Sequence, residues 1–244
     1  MNPKLEVRNL SFSYENKTVL RDLSFHVMPQ EFVSILGASG GGKSTILNLL
    51  SGSLTPDAGD MLVDGMPIRG VSGQFAYMPQ SDLLLPWKTI LDNVTLYGAL
   101  HGKKKEARQR ALREFPVFGL QGYEYAYPHE LSGGMRQRAA FLRTALCSAD
   151  IMLLDEPFGA LDVITRNDMQ DWLLKLRREL GRTTLLVTHD IDEALYLADR
   201  IVVLGGKPAC VTKEIDLTGV EKSRDWLYEQ SQLRKEIHNI LRYD

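Results

Sequence analysis

Phe32-Val33-Ser34-Ile35-Leu36 runs directly into Gly37-Ala38-Ser39-Gly40-Gly41-Gly42-Lys43-Ser44-Thr45, and then into Ile46-Leu47-Asn48-Leu49-Leu50. The first run reads as a strand and the last as a helix, with G-x-x-x-x-G-K-S between them. Glycines let the backbone curl so that successive N–H groups point inward around a polyphosphate. The helix that follows turns its unpaired N-terminal N–H groups and the positive end of its dipole toward the same anion. In this pattern the lysine reaches the β- and γ-phosphates and the following hydroxyl is a ligand for Mg2+. Gly37, Ser39, Gly40, Gly41, Gly42, Lys43, Ser44 and Thr45 are therefore the predicted phosphate-side residues. Chance would supply the pattern in only about one chain in a hundred of this length. The loop alone does not say what the nucleotide is used for.

Working outward, short strand-like runs surround this loop: Leu5–Tyr14, Leu23–Met28, Met61–Val63 and Phe75–Met78, with turn letters such as Asp64-Gly65 between them. From Thr89 to about Ser148 the spacing becomes helical, and Pro116 and Pro128 break the stretch into short helices. Strands return at Ile151–Leu154 and Thr184–Val187, continuous apolar runs of the kind buried on both faces. A helix is predicted at about Val163–Leu180 between them, and strand–helix–strand alternation implies a parallel sheet. A last helix is predicted over Glu221–Arg242. The expected organisation is an α/β core, residues 1–85 and 150–244, interrupted by a helical insertion, residues 86–149.

Composition narrows the rest. The chain has 244 residues, 44 % hydrophobic and 25 % charged, which excludes disordered and low-complexity classes. Lys and Arg number 29 against 31 Asp and Glu, so no global positive field draws in nucleic acid or an anionic membrane. The Lys103–Arg113 run reads as a solvated helix face. Apolar runs are short, Ile201–Leu204 among the longest, so no membrane span is expected. Met1–Leu5 lacks the features of a secretory signal, and Cys147 and Cys210 are expected to be reduced thiols.

Ile151-Met152-Leu153-Leu154-Asp155-Glu156 is a buried strand ending in two acids that alternate in direction. Asp155 would hold Mg2+, directly or through water, and Glu156 would face the γ-phosphate and polarise the attacking water.

Leu131-Ser132-Gly133-Gly134-Met135-Arg136-Gln137-Arg138, shortly before that strand, resembles the signature sequence of ATP-binding cassette ATPases. Further family motifs are similar in order: Tyr14 to the aromatic that stacks on adenine, Gln80 to the Q-loop, Gly159-Ala160-Leu161-Asp162 to the D-loop, and His189 to the switch histidine. The resemblance covers Leu5 to about Leu204. It departs from the commonest pattern at Gly41, often a small polar residue, and at Met135, often Gln. The fold it implies is a P-loop NTPase (RecA-like) core with an N-terminal antiparallel β subdomain and an inserted α-helical subdomain. The roles it implies are catalytic for Glu156, His189 and Gln80. Tyr14, Ser132, Gly133, Gly134 and Asp162 would contact ATP, and Ser44, Gln80 and Asp155 would hold Mg2+.

The resemblance also implies partners. Two copies would dock head to tail, Ser132 and Gly134 of one facing the γ-phosphate of the other. The motor would act on integral-membrane permease subunits at the cytoplasmic face of the inner membrane, as a peripheral protein, and indirectly on an extracytoplasmic solute-binding protein. Ser81–Lys88, with Leu83, Leu84, Leu85 and Trp87, is the expected permease contact, core packing being the alternative for the same residues. The motifs resemble bacterial importers for nitrate, aliphatic sulfonates, taurine and thiamine-precursor pyrimidines. An exporter ATPase, or a soluble cassette ATPase acting on nucleic acid or ribosomes, are the rival readings, and no nucleic-acid contact is expected.

Overall fold

The computed structural model describes residues 2–243; Met1 and Asp244, the outer ends of the predicted core segments, lie outside it. The chain opens with an antiparallel hairpin, β1 (Leu5–Tyr14) and β2 (Lys17–Val27). After β3 (Phe32–Leu36) and α1 (Lys43–Leu50), β4 (Ala58–Val63) pairs antiparallel with β1. β5 (Met66–Pro67) returns along β4 through Asp64-Gly65, whose φ of 52° and 75° suit a tight two-residue turn. This sheet has the order β2-β1-β4-β5.

The second sheet adds β6 (Phe75–Met78), β7 (Ile151–Asp155), β8 (Thr183–Thr188), β9 (Arg200–Gly205) and β10 (Cys210–Asp216). Its order is β10-β9-β3-β8-β7-β6, parallel throughout except for β10. Every residue of β3, β7, β8 and β9 is buried, as expected of strands covered on both faces. Alternation divides their side chains between two cores. Val33, Ile35, Leu153, Leu185 and Val187 pack with α1 and the first sheet. Phe32, Leu36, Met152, Leu154 and Leu186 pack with the helices on the other side.

Between β6 and β7 come α2 (Ile90–Val94), α3 (Leu96–Leu100), α4 (Lys104–Glu114) and α5 (Gly133–Ala145), then follow α6 (Val163–Leu180) and α7 (Ile191–Leu197), and all but α3 add buried residues to that core. An aromatic seam joins them. The Trp172 ring on α6 meets Phe118 at 5.4 Å and Phe141 of α5 at 5.6 Å, both edge-on, and the Arg138 guanidinium lies 5.4 Å from its centre. α5 therefore shares its core with the parallel sheet. Toward the C-terminus, the buried Lys222 ammonium donates to Leu195 O at 2.8 Å, and Arg224 donates to Asp171 at 2.9 Å and to Asn167 O at 2.7 Å. These bonds fasten α8 (Arg224–Glu229) to α6 and α7, and Arg234 of α9 (Ser231–Tyr243) donates to Asp192 of α7 at 2.5 Å.

Three expectations are corrected. β2 begins at Lys17 rather than Leu23: its first turn-side residues are exposed and polar, as an edge strand permits. The predicted helix Glu221–Arg242 is two helices, because Gln230 leaves helical geometry at ψ 34°. Phe115–Tyr127 holds no α-helix, only turns that bury Phe115, Phe118 and Leu120.

Phe141 is fully buried within the seam. Phe141→Ala is expected to cost about 3–5 kcal/mol, read as a lower urea midpoint at unchanged slope; a loss below about 1 kcal/mol would mean that the seam is loosely packed.

Candidate nucleotide site

Four neighbouring strands deliver the site. In space they lie β3-β8-β7-β6, and the residues that follow their C-terminal ends are, in that order, the Gly37–Lys43 loop, His189, Glu156 and Gln80. Residues far apart in sequence thus meet along one edge of a parallel sheet, where open α/β folds place ligands. The loop must be glycine at Gly42, whose φ is 79° and whose Cβ would lie 2.7 Å from Leu20 Cδ2 of β2.

Lys43 is 5 % exposed and points back under its own loop. Its ammonium donates to Gly37 O at 3.0 Å and Ala38 O at 2.9 Å, with Glu156 Oε1 at 3.6 Å. Burial lowers its pKa, and the charge of Glu156 opposes that. Ser44 donates to Asp155 Oδ1 at 3.4 Å, and the Tyr77 hydroxyl donates to Asp155 Oδ2 at 3.0 Å. Burial raises the Asp155 pKa against the Tyr77 hydrogen bond, and burial with the nearby carboxylate pushes the Tyr77 phenol up as well.

Glu156 is the hub. Its φ of 43° turns the chain out of β7, while its N–H still donates to Val187 O at 2.9 Å. One carboxylate oxygen lies 3.1 Å from His189 Nδ1; the other accepts from Gln80 Nε2 at 3.3 Å. Behind His189, Thr188 Oγ1 donates to the buried Glu193 at 2.6 Å and accepts from the Asp190 N–H at 3.0 Å. Burial, with a smaller contribution from Asp190, pushes Glu193 up to about 7.

The other predicted contacts lie elsewhere. Tyr14 is 46 % exposed and packs edge-on against Phe12 at 4.8 Å. Ser132 caps α5 by accepting from Met135 N at 3.3 Å, and Asp162 caps α6 by accepting from Thr165 N at 3.1 Å. These two helix starts pack together: a Cβ on Gly134 would stand 2.8 Å from Thr165 Cγ2, so only glycine fits. Among the described residues, no hydrogen bond or ion pair joins Ser132, Gly133, Gly134 or Asp162 directly to the Lys43–Glu156 cluster. The link is indirect, through Gln137 Nε2 on α5, which donates to Pro157 O beside Glu156.

The family model described as ABC transporter matches residues 20–159, more than half of the chain. The chain belongs to the ABC transporter family. It is an ATPase of that family, and the cassette binds ATP and ADP. The ABC ATPase is 43 % identical to the formylaminopyrimidine import ATP-binding protein ThiZ of Halalkalibacterium halodurans, across 97 % of this chain and 96 % of that one. It is 41 % identical to the taurine import ATP-binding protein TauB of Yersinia pestis, across 87 % and 84 %. The dimeric bacterial ABC transporter cassette MJ0796 superposes with a TM-score of 0.74 at 31 % identity, covering 88 % of this chain and 99 % of that one. The same cassette in a post-hydrolysis state with ADP and Pi gives 0.73.

Tyr77, Thr188 and Glu193 were missed as site residues. Tyr77 read as one more apolar strand position. Nothing local in the sequence marks Glu193 as buried beside His189. Because its folded pKa stands near 7 against an ordinary 4.5, the folded ABC ATPase keeps a proton that the unfolded chain has lost across that window. Stability should therefore fall as pH rises from about 4.5 to 7 and stay level above it. Glu193→Gln keeps an acceptor for Thr188 and should remove up to about 3 kcal/mol of that fall. Urea unfolding of both proteins at pH 5 and pH 8 checks it, and equal slopes would reject the assignment.

Proposed function

We propose that this ABC ATPase powers uptake of a small solute through separate integral-membrane permease subunits, as two copies docked head to tail around ATP. The observation that carries the reading is the division of the site. Lys43, Ser44, Asp155, Glu156, His189 and Gln80 form one cluster, while Ser132, Gly133, Gly134 and Asp162 gather at the starts of α5 and α6 with no direct hydrogen bond or ion pair to it among the described residues. Each cluster is half of a nucleotide site, and a second copy supplies the missing half. The dimeric relative supports that arrangement.

In this reading the loop N–H groups hold the polyphosphate, and Lys43 exchanges the carbonyls of Gly37 and Ala38 for β- and γ-phosphate oxygens. Glu156 accepts a hydrogen bond from the attacking water and polarises it, and His189 donates to the γ-phosphate. Tyr14 offers its exposed face to the base. Ser44, Asp155 and the Gln80 amide oxygen are all hard oxygen donors, which fits Mg2+, an ion that keeps much of its shell for water and phosphate. Bound there, Mg2+ would neutralise charge building on the β- and γ-phosphate oxygens. Ser132 and Gly134 of the second copy close over the γ-phosphate, so cleavage of that phosphate weakens the pair.

No helix among the described residues is long and apolar enough to cross a membrane. The permease contact is the segment after Gln80, and its make-up is narrower than expected. Leu84 is buried in the core, whereas Leu83 and Trp87 are 60 % and 71 % exposed. Arg143 of α5 donates to Leu83 O at 2.7 Å, tying this surface to the signature helix. The site of action is the cytoplasmic face of the inner membrane. Relatives named for import of formylaminopyrimidine, taurine, nitrate and aliphatic sulfonates point to a solute of that kind, handed over by an extracytoplasmic solute-binding protein.

Glu156→Gln should lose hydrolysis, keep ATP, and elute as a dimer on size-exclusion chromatography with ATP. A variant hydrolysing at the wild-type rate would remove Glu156 from its role. Affinity capture from detergent-solubilised membranes should retain a polytopic membrane protein, and the double substitution Leu83→Ala and Trp87→Ala should lose it. Ribosomal proteins in its place would favour the soluble rival.

A further inference from the structure

Asp155 is held from two sides by different elements. Ser44 of α1 reaches Oδ1 at 3.4 Å, and Tyr77 of β6 reaches Oδ2 at 3.0 Å. The second contact follows from register. Tyr77 pairs with Leu153 of the parallel strand β7, and Leu153 and Asp155 share the face that packs toward α1. A long side chain at position 77 therefore leans along the sheet edge onto the carboxylate two residues beyond its partner.

A carboxylate has two oxygens that exchange by rotation about Cβ–Cγ. A donor fixed on one of them decides which oxygen is left for other work. We infer that Tyr77 is a positioning residue for the cation site: its hydroxyl anchors one oxygen of Asp155 so that the other faces Ser44 and the incoming Mg2+. This rests on the reading of Ser44 and Asp155 as Mg2+ residues.

The chemistry suits the task. A phenol donates a hydrogen bond without bringing a positive charge, so it orients the carboxylate and does not repel a divalent cation, as Lys or Arg at this place would. Outer groups that orient a ligand carboxylate commonly alter metal affinity by ten- to a hundredfold when removed. Tyr77 is also half-buried against the core between the two sheets, so its ring is held by packing that phenylalanine would preserve.

The test is equilibrium binding of a fluorescent ATP analogue to the full-length wild type, Tyr77→Phe and Asp155→Asn, first in EDTA and then at rising Mg2+. Tyr77→Phe should match the wild type in EDTA. The Mg2+ concentration giving half of the metal-dependent change in affinity should rise roughly tenfold in that variant. It should rise at least as far in Asp155→Asn. An unchanged Mg2+ half-saturation in Tyr77→Phe, with Asp155→Asn shifted, overturns the role of Tyr77 alone. If Asp155→Asn is also unshifted, the assignment of the cation site fails. Weakened binding of Tyr77→Phe in EDTA with no change in Mg2+ dependence would make the tyrosine a packing residue and overturn the inference equally.

Discussion

The Glu156 carboxylate stands where three chain segments converge, and the arrangement of the site depends on its contacts. Lys43 arrives from the loop after β3, His189 from the end of β8, and Gln80 from beyond β6. Their order in sequence is 43, 80, 156, 189; their order across the sheet is 43, 189, 156, 80. Only the strand order β3-β8-β7-β6 produces that exchange. Glu156 meets all three because its left-handed backbone, at φ 43°, bends the chain away from β7 at that residue. Such a conformation is uncommon outside glycine and persists where surrounding contacts over-determine it. Here the bond to Val187 O and the carboxylate contacts do so.

Charge within the cluster sets what it accepts. Asp155 and Glu156 lie beside each other and Lys43 faces both, so the fixed charges already lean negative before a polyphosphate enters. Burial acts on the two signs alike, lowering Lys43 and raising Asp155. In the proposed reading an anion would be held here chiefly by oriented N–H groups at the start of α1, with Lys43 the one lysine or arginine among the described residues paired with Glu156. A divalent cation held by Ser44 and Asp155, as proposed, would offset what these groups leave over. The orientation of Asp155, shared between Ser44 and Tyr77, would then bear on the affinity of the whole site.

Legibility in the sequence followed burial. β3, β7 and β8 were readable because strands covered on both faces are continuously apolar, and the glycine loop was readable because its function resides in backbone geometry. The edges were not. The outer half of β2 and the alternating strand β10 carry exposed polar residues on one face, so composition does not separate them from loops. Partners remote in sequence were equally hidden. Tyr77 and Asp155 are joined by strand register, which no local pattern encodes. The run Leu83-Leu84-Leu85 looked uniform, and only packing separates buried Leu84 from exposed Leu83. The Tyr14, Ser132 and Asp162 positions were legible as motifs, while their local partners, Phe12, Met135 and Thr165, were not.

Within one copy the two clusters are linked only indirectly, among the described residues. The bonds that connect them end largely on backbone. α5 reaches the Glu156 turn through Gln137 to Pro157 O, and the segment after Gln80 through Arg143 to the carbonyls of Asp82 and Leu83. Arg136, also on α5, adds a bond to Asp82 Oδ2 at 3.3 Å. Leu83 itself is at φ 44°, a conformation these carbonyl contacts help to hold. On the other side, Arg166 of α6 donates to Leu161 O at 3.1 Å and lies 3.5 Å from Asp190, the residue after His189. α5 is therefore anchored both to the segment after Gln80 and to the Glu156 turn. At its start α5 also lies close against α6, where a Cβ on Gly134 would stand 2.8 Å from Thr165 Cγ2. The helix that starts at Ser132 is thus bonded to the segments that carry Glu156 and Gln80, although none of its predicted nucleotide contacts touches the Glu156 cluster within one copy.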